Sequence, residues 1–181
     1  TLGGTILGTS REKPYKLVKD DNSDKHKPEK IIENYKNLNL DCVVCIGGNG
    51  TMKTASMLSK EGLNIIGIPK TIDNDVWGTD VTFGFDSAVQ IATDAIDRLH
   101  TTANSHQRVM IIEIMGHHAG WLALYSGLAG GGDIILLPEL PHNIRSVCKN
   151  IEARYEDNKP YSIVVVAEGI SHHKNKSAAS H

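Results

Sequence analysis

Aromatic side chains are scarce in this sequence: two phenylalanines, two tryptophans and five tyrosines among 181 residues. The formal net charge is -2, so there is no basic field either. Nucleic-acid partners, which call for a positive footprint and stacking surfaces, are excluded on both counts. No run approaches the roughly 18 consecutive apolar residues of a membrane-spanning helix. No basic segment followed by an apolar stretch opens the chain. A cytoplasmic protein is expected, with no membrane partner. Cysteine is confined to Cys42, Cys45 and Cys148, an odd count that suits reduced, buried thiols better than a disulfide framework. Cys42 and Cys45 are three residues apart, and strand alternation sends such side chains to opposite faces, against a redox or zinc pair.

A hydrophobic content of 40% is enough for a real core, in one globular domain or two half-domains. Five short apolar runs rich in β-branched residues alternate with helical patterns: 42–46, 64–68, 109–115, 134–137 and 162–167. That alternation predicts an α/β fold, with parallel sheets and helices on both faces. The clearest helix is expected over 86–100, capped by Asp86, with Ala88, Ile91, Ala92, Ala95, Ile96 and Leu99 on one stripe. A second helix follows Pro28 and holds Ile31, Ile32, Tyr35 and Leu38; a third spans 51–60. A fourth is capped by Asn143, with Ile144, Val147, Cys148 and Ile151 inward. Residues 16–30 mix both charge signs with Asn, Ser and Pro and read as a solvated loop entering a helix. The polar stretch 171–181 reads as a disordered tail. No internal repeat is visible.

Two segments carry chemistry. Val43-Val44-Cys45-Ile46 runs into Gly47-Gly48-Asn49-Gly50-Thr51, a strand followed by a glycine turn and a helix start. Glycines there let backbone N–H groups approach a phosphate at the positive end of the helix. A tight strand-to-helix turn without ligand has the same residues, and no Gly-Lys-Ser/Thr follows to make it a P-loop. Further on, Ile65 to Ile68 leads into Pro69-Lys70-Thr71-Ile72-Asp73-Asn74-Asp75. Two carboxylates and a hydroxyl thus leave the carboxyl end of a strand, where open α/β sheets place ligands. One carboxylate can take a proton from a substrate hydroxyl while the other lies near a metal. An Asx-rich turn is the plainer alternative.

Together the two segments resemble those of the ATP- and pyrophosphate-dependent phosphofructokinases. The resemblance extends to Gly3-Gly4-Thr5-Ile6-Leu7-Gly8-Thr9-Ser10-Arg11, Ser105-His106-Gln107-Arg108, Glu113 to Trp121 and Ala167-Glu168-Gly169, in the family's order. It implies a phosphofructokinase-like fold containing parts of two similar domains. Residues 1–83 would belong to the donor domain and 84–170 to the sugar-phosphate domain, with the cleft between them. It implies transfer of a phosphoryl group from ATP, with Mg2+, to the 1-hydroxyl of fructose 6-phosphate. Asp73 would be the base, Thr71 would hold the sugar and the moving phosphoryl group, and Asp75 would support magnesium and the loop. Arg11 would reach the donor phosphates and Gly48, Asn49, Gly50 and Thr51 would cradle them. Arg108 would reach the 6-phosphate across a subunit interface, implying a homo-oligomer, while Met115, Gly116, His117 and Glu168 would line the sugar-phosphate site.

Departures from the family pattern bear on activity. Asn49 stands where an Asp usually ligates magnesium, and a neutral amide is a weak ligand for a hard dication. Either metal affinity falls or Asp75 carries the ion. His117 replaces an Arg that many members have, exchanging a permanent bidentate donor for a group that titrates near neutrality. Adjacent residues are expected to point apart, which argues against zinc at His117 and His118. Gly50 leaves room for a nucleotide where pyrophosphate-dependent members carry a second Asp, whereas Lys70 is a feature of those members. ATP is the favoured donor and pyrophosphate the alternative; a non-catalytic regulatory member is the other reading. The chain also resembles a central piece of the family, expected to be inactive or weakly active alone.

Overall fold

The computed structural model describes residues 6, 8, 9, 13–15 and 27–170. Its contacts divide the chain into two compact units, Thr1–Pro69 and Lys70–His181. The expected division after residue 83 differs by placing the Lys70–Asp75 segment with the first unit. An isolated parallel bridge between Lys70 and Phe83 ties that segment forward in the chain.

The first unit contains helix α1 (Lys27–Asn37), strand β1 (Val43–Gly47), helix α2 (Asn49–Lys60) and strand β2 (Ile65–Pro69). β1 and β2 pair in parallel, Val43 opposite Ile65 and Gly47 opposite Pro69, with α2 as the crossover. Ala55, Leu58 and Leu63 are buried in this unit. Val44, Ile46 and Ile66 remain about half exposed or more, on the opposite strand face from the side chains nearest α2. Asn64 Nδ2 and Tyr35 Oη both donate to the carbonyl of Asp41, fixing the turn before β1.

In the second unit, helix α3 (Phe85–His106), strand β3 (Val109–Ile114), helix α4 (Trp121–Ala129), strand β4 (Ile134–Leu136), helix α5 (Ile144–Glu156) and strand β5 (Ser162–Ala167) follow. The sheet is parallel in the order β3-β5-β4. β5 lies in the middle, which explains its unbroken run of Ile163, Val164, Val165 and Val166: a central parallel strand is covered on both faces. Ile163, Val165 and Ala167 form one core with Ile114 of β3, Leu122 and Ala123 of α4, and Phe85, Ile96 and Ala103 of α3. On the other face, Arg154 of α5 donates to Ser162 Oγ and pairs with Asp133 at 2.6 Å. Among the described residues no helix is long and apolar enough to cross a membrane.

All five expected strands are present, with ends shifted by at most one residue. Several finer expectations are corrected. α3 begins at Phe85 with Gly84 at its N-cap in a left-handed conformation (φ 102°), so Asp86 lies in the first turn and is not the cap. Its inward stripe runs Phe85, Ala88, Val89, Ala92, Ile96, Leu99, Ala103; Ile91 is 71% exposed and Ala95 is exposed too. Anchoring by Phe85 sets the rotation, and Ile91 falls outside the 3.6-residue stripe that passes through Ile96. Leu38, Ile144 and Cys148 are exposed instead of inward. α5 is held by Val147, Ile151 and Arg154, one residue type on each successive turn. All three cysteines are free, and none is buried. α4 had no counterpart in the sequence reading. Residues 16–26 of the expected loop and the expected tail at 171–181 lie outside the described residues.

The Asn143 cap is present: its side chain accepts from the N–H of Arg145 at 2.9 Å. Asn143→Ala is expected to cost about 1 kcal/mol, the usual worth of a side-chain N-cap, read as a lower urea midpoint.

Candidate active site

Among the described residues, every expected site segment except Arg108 follows the carboxyl end of a strand, as the α/β rule requires. In the first unit β1 ends at Gly47 and α2 starts at Asn49, with Gly48 as an extended N-cap that makes no side-chain hydrogen bond. The first N–H groups of α2 are thus presented from a residue without a capping side chain. A Cβ at Gly47 would run into the Thr51 side chain, so this close turn needs glycine. Gly50 is different, since a Cβ there meets nothing within 4 Å. Its lack of a side chain leaves open space beside the helix start. Lys13, Tyr15, Lys53, Thr54 and Met57 line a hollow of about 340 Å³ next to Gly50. Two ammonium groups make it suited to an anion. Asn49, Gly50 and Thr51 are exposed; Arg11 lies outside the described residues.

The second unit assembles most of the other candidates. After β2 the chain forms the loop Lys70–Asp75, with Lys70 exposed and Thr71, Asp73 and Asp75 half-buried. Thr71 Oγ1 accepts from the Asp73 N–H at 3.2 Å. Asn74 adopts φ 52°, a left-handed conformation that asparagine tolerates better than most residues. Its Oδ1 accepts from the Thr82 N–H at 3.0 Å, and Thr82 Oγ1 donates to the Thr71 carbonyl at 2.8 Å. Beside Asp75, Trp77, Asp80, Trp121 and Tyr125 border an open hollow of about 390 Å³.

Across from this loop, the Glu168 carboxylate after β5 accepts from the N–H groups of Gly116 and His117 after β3. These two hydrogen bonds hold Glu168 below the usual glutamate range. Gly169 packs so closely on the His117 carbonyl and His118 Cα that a Cβ there would collide with backbone. Met115 and His117 are exposed and Gly116 is buried.

Asp73 is pushed in the opposite direction. Burial raises its carboxyl most, the neighbouring Asp75 charge raises it further, the Thr71 hydrogen bond opposes both, and Glu168 and His117 add small contributions of opposite sign. Asp73, Asp75, Thr71, His117 and Glu168 thus share one electrostatic environment. A partly desolvated carboxylate with raised proton affinity, beside a second carboxylate, can accept a proton from a hydroxyl. Among the described residues no group of three or more His, Cys, Asp or Glu could hold a metal alone. Asp75 next to Asp73 nonetheless suits magnesium, which commonly takes one or two carboxylates and fills its shell with water and substrate phosphates.

Two expectations fail or separate here. The rings of His117 and His118 do not point apart: their centroids are 3.9 Å from each other. His117 has φ 53°, and this left-handed turn brings the side chains together. Arg108 is exposed and precedes β3, at the opposite end of the strand from His117. With a rise of about 3.3 Å per residue over β3, it is roughly 20 Å from that loop. Thr82 was missed by sequence reasoning. A threonine in an irregular loop has no periodic signal, and only its hydrogen bonds to the Thr-Ile-Asp-Asn-Asp segment make it noticeable.

The family model described as phosphofructokinase matches residues 1–180. The chain is 63% identical over 182 residues to ATP-dependent 6-phosphofructokinase 3 of Bacteroides thetaiotaomicron, covering 99% of this chain and 53% of that one. It is 50% identical over 169 residues to the pyrophosphate--fructose 6-phosphate 1-phosphotransferase of Dictyoglomus thermophilum, covering 93% and 47%. The fold superposes on the phosphofructokinase structure from Saccharomyces cerevisiae with a TM-score of 0.79 at 30% identity, over 92% of this chain and 25% of that one. The chain spans about half the length of the curated relatives it matches. With the family model matched over nearly its whole length, the chain belongs to the phosphofructokinase family.

Proposed function

We propose that the protein carrying this chain transfers the γ-phosphoryl group of ATP, with Mg2+, to the 1-hydroxyl of fructose 6-phosphate, giving fructose 1,6-bisphosphate in cytoplasmic glycolysis. The observation that carries this reading is the half-buried Asp73 carboxylate, raised by burial and by Asp75, in a loop beside Glu168 and His117. In this scheme the O–H bond of the sugar's 1-hydroxyl breaks as its oxygen attacks the γ-phosphorus, the proton goes to Asp73, and ADP leaves. Thr71 orients the sugar and the moving phosphoryl group. Met115, Gly116, His117 and Glu168 form the wall for the sugar phosphate. Gly48, Asn49, Gly50 and Thr51 present helix-start N–H groups to the donor, with Arg11 and Lys70 as further cationic contacts. Phosphoryl transfer asks for positioning, charge neutralisation and one base, and these residues cover that set.

Asp75 would hold magnesium. When bound, the ion neutralises charge on the phosphate oxygens. Its presence would also relieve the repulsion between Asp75 and Asp73. Arg108, exposed at the far end of β3, fits a role toward a neighbouring subunit's sugar phosphate in a homo-oligomer.

Gly50 favours ATP because its side is open, and a relative named for ATP is 63% identical against 50% for one named for pyrophosphate. Lys70 keeps the pyrophosphate reading, and Asn49 a non-catalytic one that binds the same ligands. The test is a fructose 6-phosphate phosphorylation assay on the complete gene product, with ATP and pyrophosphate in parallel across a magnesium series. Turnover with ATP at least about tenfold above that with pyrophosphate is expected, a difference of about 1.4 kcal/mol in transition-state stabilisation. Turnover with pyrophosphate alone would reassign the donor. Binding of fructose 6-phosphate without turnover would leave the regulatory reading.

A further inference from the structure

Thr82 is 2% exposed, one of the few buried polar side chains in the described chain. The other two have local or structural partners: Ser126 Oγ donates to Leu122 in its own helix, and Ser162 accepts from Arg154. Thr82 reaches back eleven residues. Its hydroxyl donates to the Thr71 carbonyl at 2.8 Å and its N–H donates to Asn74 Oδ1 at 3.0 Å. Asp73 is between those two attachment points in sequence. The chain just after Thr82 is itself fixed, first by the Lys70–Phe83 bridge and then by buried Phe85 at the start of α3. The Thr82 N–H also rewards the left-handed Asn74, since only that side chain supplies the acceptor.

We propose that Thr82 is a positioning residue for phosphoryl transfer: its hydroxyl holds the Thr71 carbonyl and its N–H holds the Asn74 side chain, one on each side of Asp73, so that the carboxylate is held where it meets the substrate hydroxyl. It acts through Thr71 and Asn74. A loop of six residues carrying a base, a hydroxyl and a second carboxylate has no regular secondary structure to hold it. Removing a clamp from such a loop lets the base drift, and displacement of a reacting group by about 1 Å costs on the order of 100-fold in rate. This inference rests on the reading of Asp73 as the base.

The test uses the complete gene product with Thr82→Val, which removes the hydroxyl at nearly constant shape, and Thr82→Ser, which keeps it. Thr82→Val is expected to lower kcat by about 10- to 100-fold while the KM for fructose 6-phosphate changes less than about threefold, and Thr82→Ser to stay within about threefold of the parent. Hydrogen exchange across residues 71–75, read by mass spectrometry, should speed up in the Val variant and not in the Ser variant. Parent-like kcat in Thr82→Val, or equal damage in both variants, overturns the proposal. If the parent protein has no phosphotransferase activity, the reading of Asp73 as base fails, and the exchange measurement alone decides the clamp: unchanged exchange in Thr82→Val overturns it. Should Thr82→Val not fold, Asn74→Gly replaces it. Glycine accepts φ 52° and removes the side chain that supplies the Oδ1 acceptor, so a kcat lowered by about tenfold or more is expected and a parent-like kcat overturns the clamp.

Discussion

Asp73→Asn is expected to lower kcat for fructose 6-phosphate phosphorylation by about 10³-fold, within the range a positioned general base contributes. Asparagine keeps the size and half-buried position of the side chain and removes its ability to take the proton. The KM for the sugar phosphate should move far less, because the proposed binding wall of Met115, Gly116 and Glu168 is untouched. The same substitution should not destabilise the protein. Burial and Asp75 raise the Asp73 carboxyl above its unfolded value, so the folded state favours the protonated form. The corresponding stability is fully present below the unfolded pKa and is lost as pH rises through the folded one. Asparagine resembles the protonated form at every pH. At pH 7 the variant should therefore melt at the parent's temperature or above it, and the difference should disappear in acid, below the ordinary aspartate range. A thermal scan at pH 7 and at about pH 2.5, run beside the rate assay, checks both halves. Activity lost together with a lowered melting temperature would mean that Asp73 holds the loop and is not the base.

Much of this was legible in the chain. β-branched runs ended by glycine or proline, such as Val43 to Gly47 and Ile65 to Pro69, mark strands because branched side chains suit the extended backbone and the glycine or proline ends the run. The Asp73 loop and the glycine turn were readable as motifs for the same reason: they follow those strands. α4 escaped because Trp121 to Ala129 is apolar nearly all round, so no polar face gives it a helical period. The stripe on α3 was misjudged at Ile91 and Ala95 because composition allows two neighbouring faces, and the contact of Phe85 with the core chooses between them. The edge-on contact of His117 with His118 depends on a left-handed backbone angle at a non-glycine residue, which nothing in the local sequence announces. Thr82 depends on a contact over eleven residues, beyond any local pattern.

Gly169→Ala is expected to be among the most damaging single-methyl changes in the second unit. A Cβ at residue 169 would strike the His117 carbonyl and come within 3.2 Å of His118 Cα. Both obstacles are backbone, so no side chain can swing aside, and the loops after β3 and β5 must part. Their separation breaks the pair of hydrogen bonds from Gly116 and His117 to the Glu168 carboxylate, the contact that holds Glu168 ionised below its usual range. Overpacking of this kind costs about 1–3 kcal/mol, and with backbone on both sides the upper end is expected. The urea midpoint should fall accordingly, and the KM for fructose 6-phosphate should rise by about tenfold as the sugar-phosphate wall opens, equivalent to about 1.4 kcal/mol of binding. Gly50→Ala is the control on the same logic. Nothing lies within 4 Å of its added carbon, and alanine favours the start of α2 by up to about 1 kcal/mol over glycine, so stability should hold or improve. Its effect should appear only in the KM for the donor, because the methyl group occupies the space left beside the helix start. If Gly169→Ala matched the parent in both stability and KM, the close approach of the two loops would not be what shapes the sugar-phosphate site.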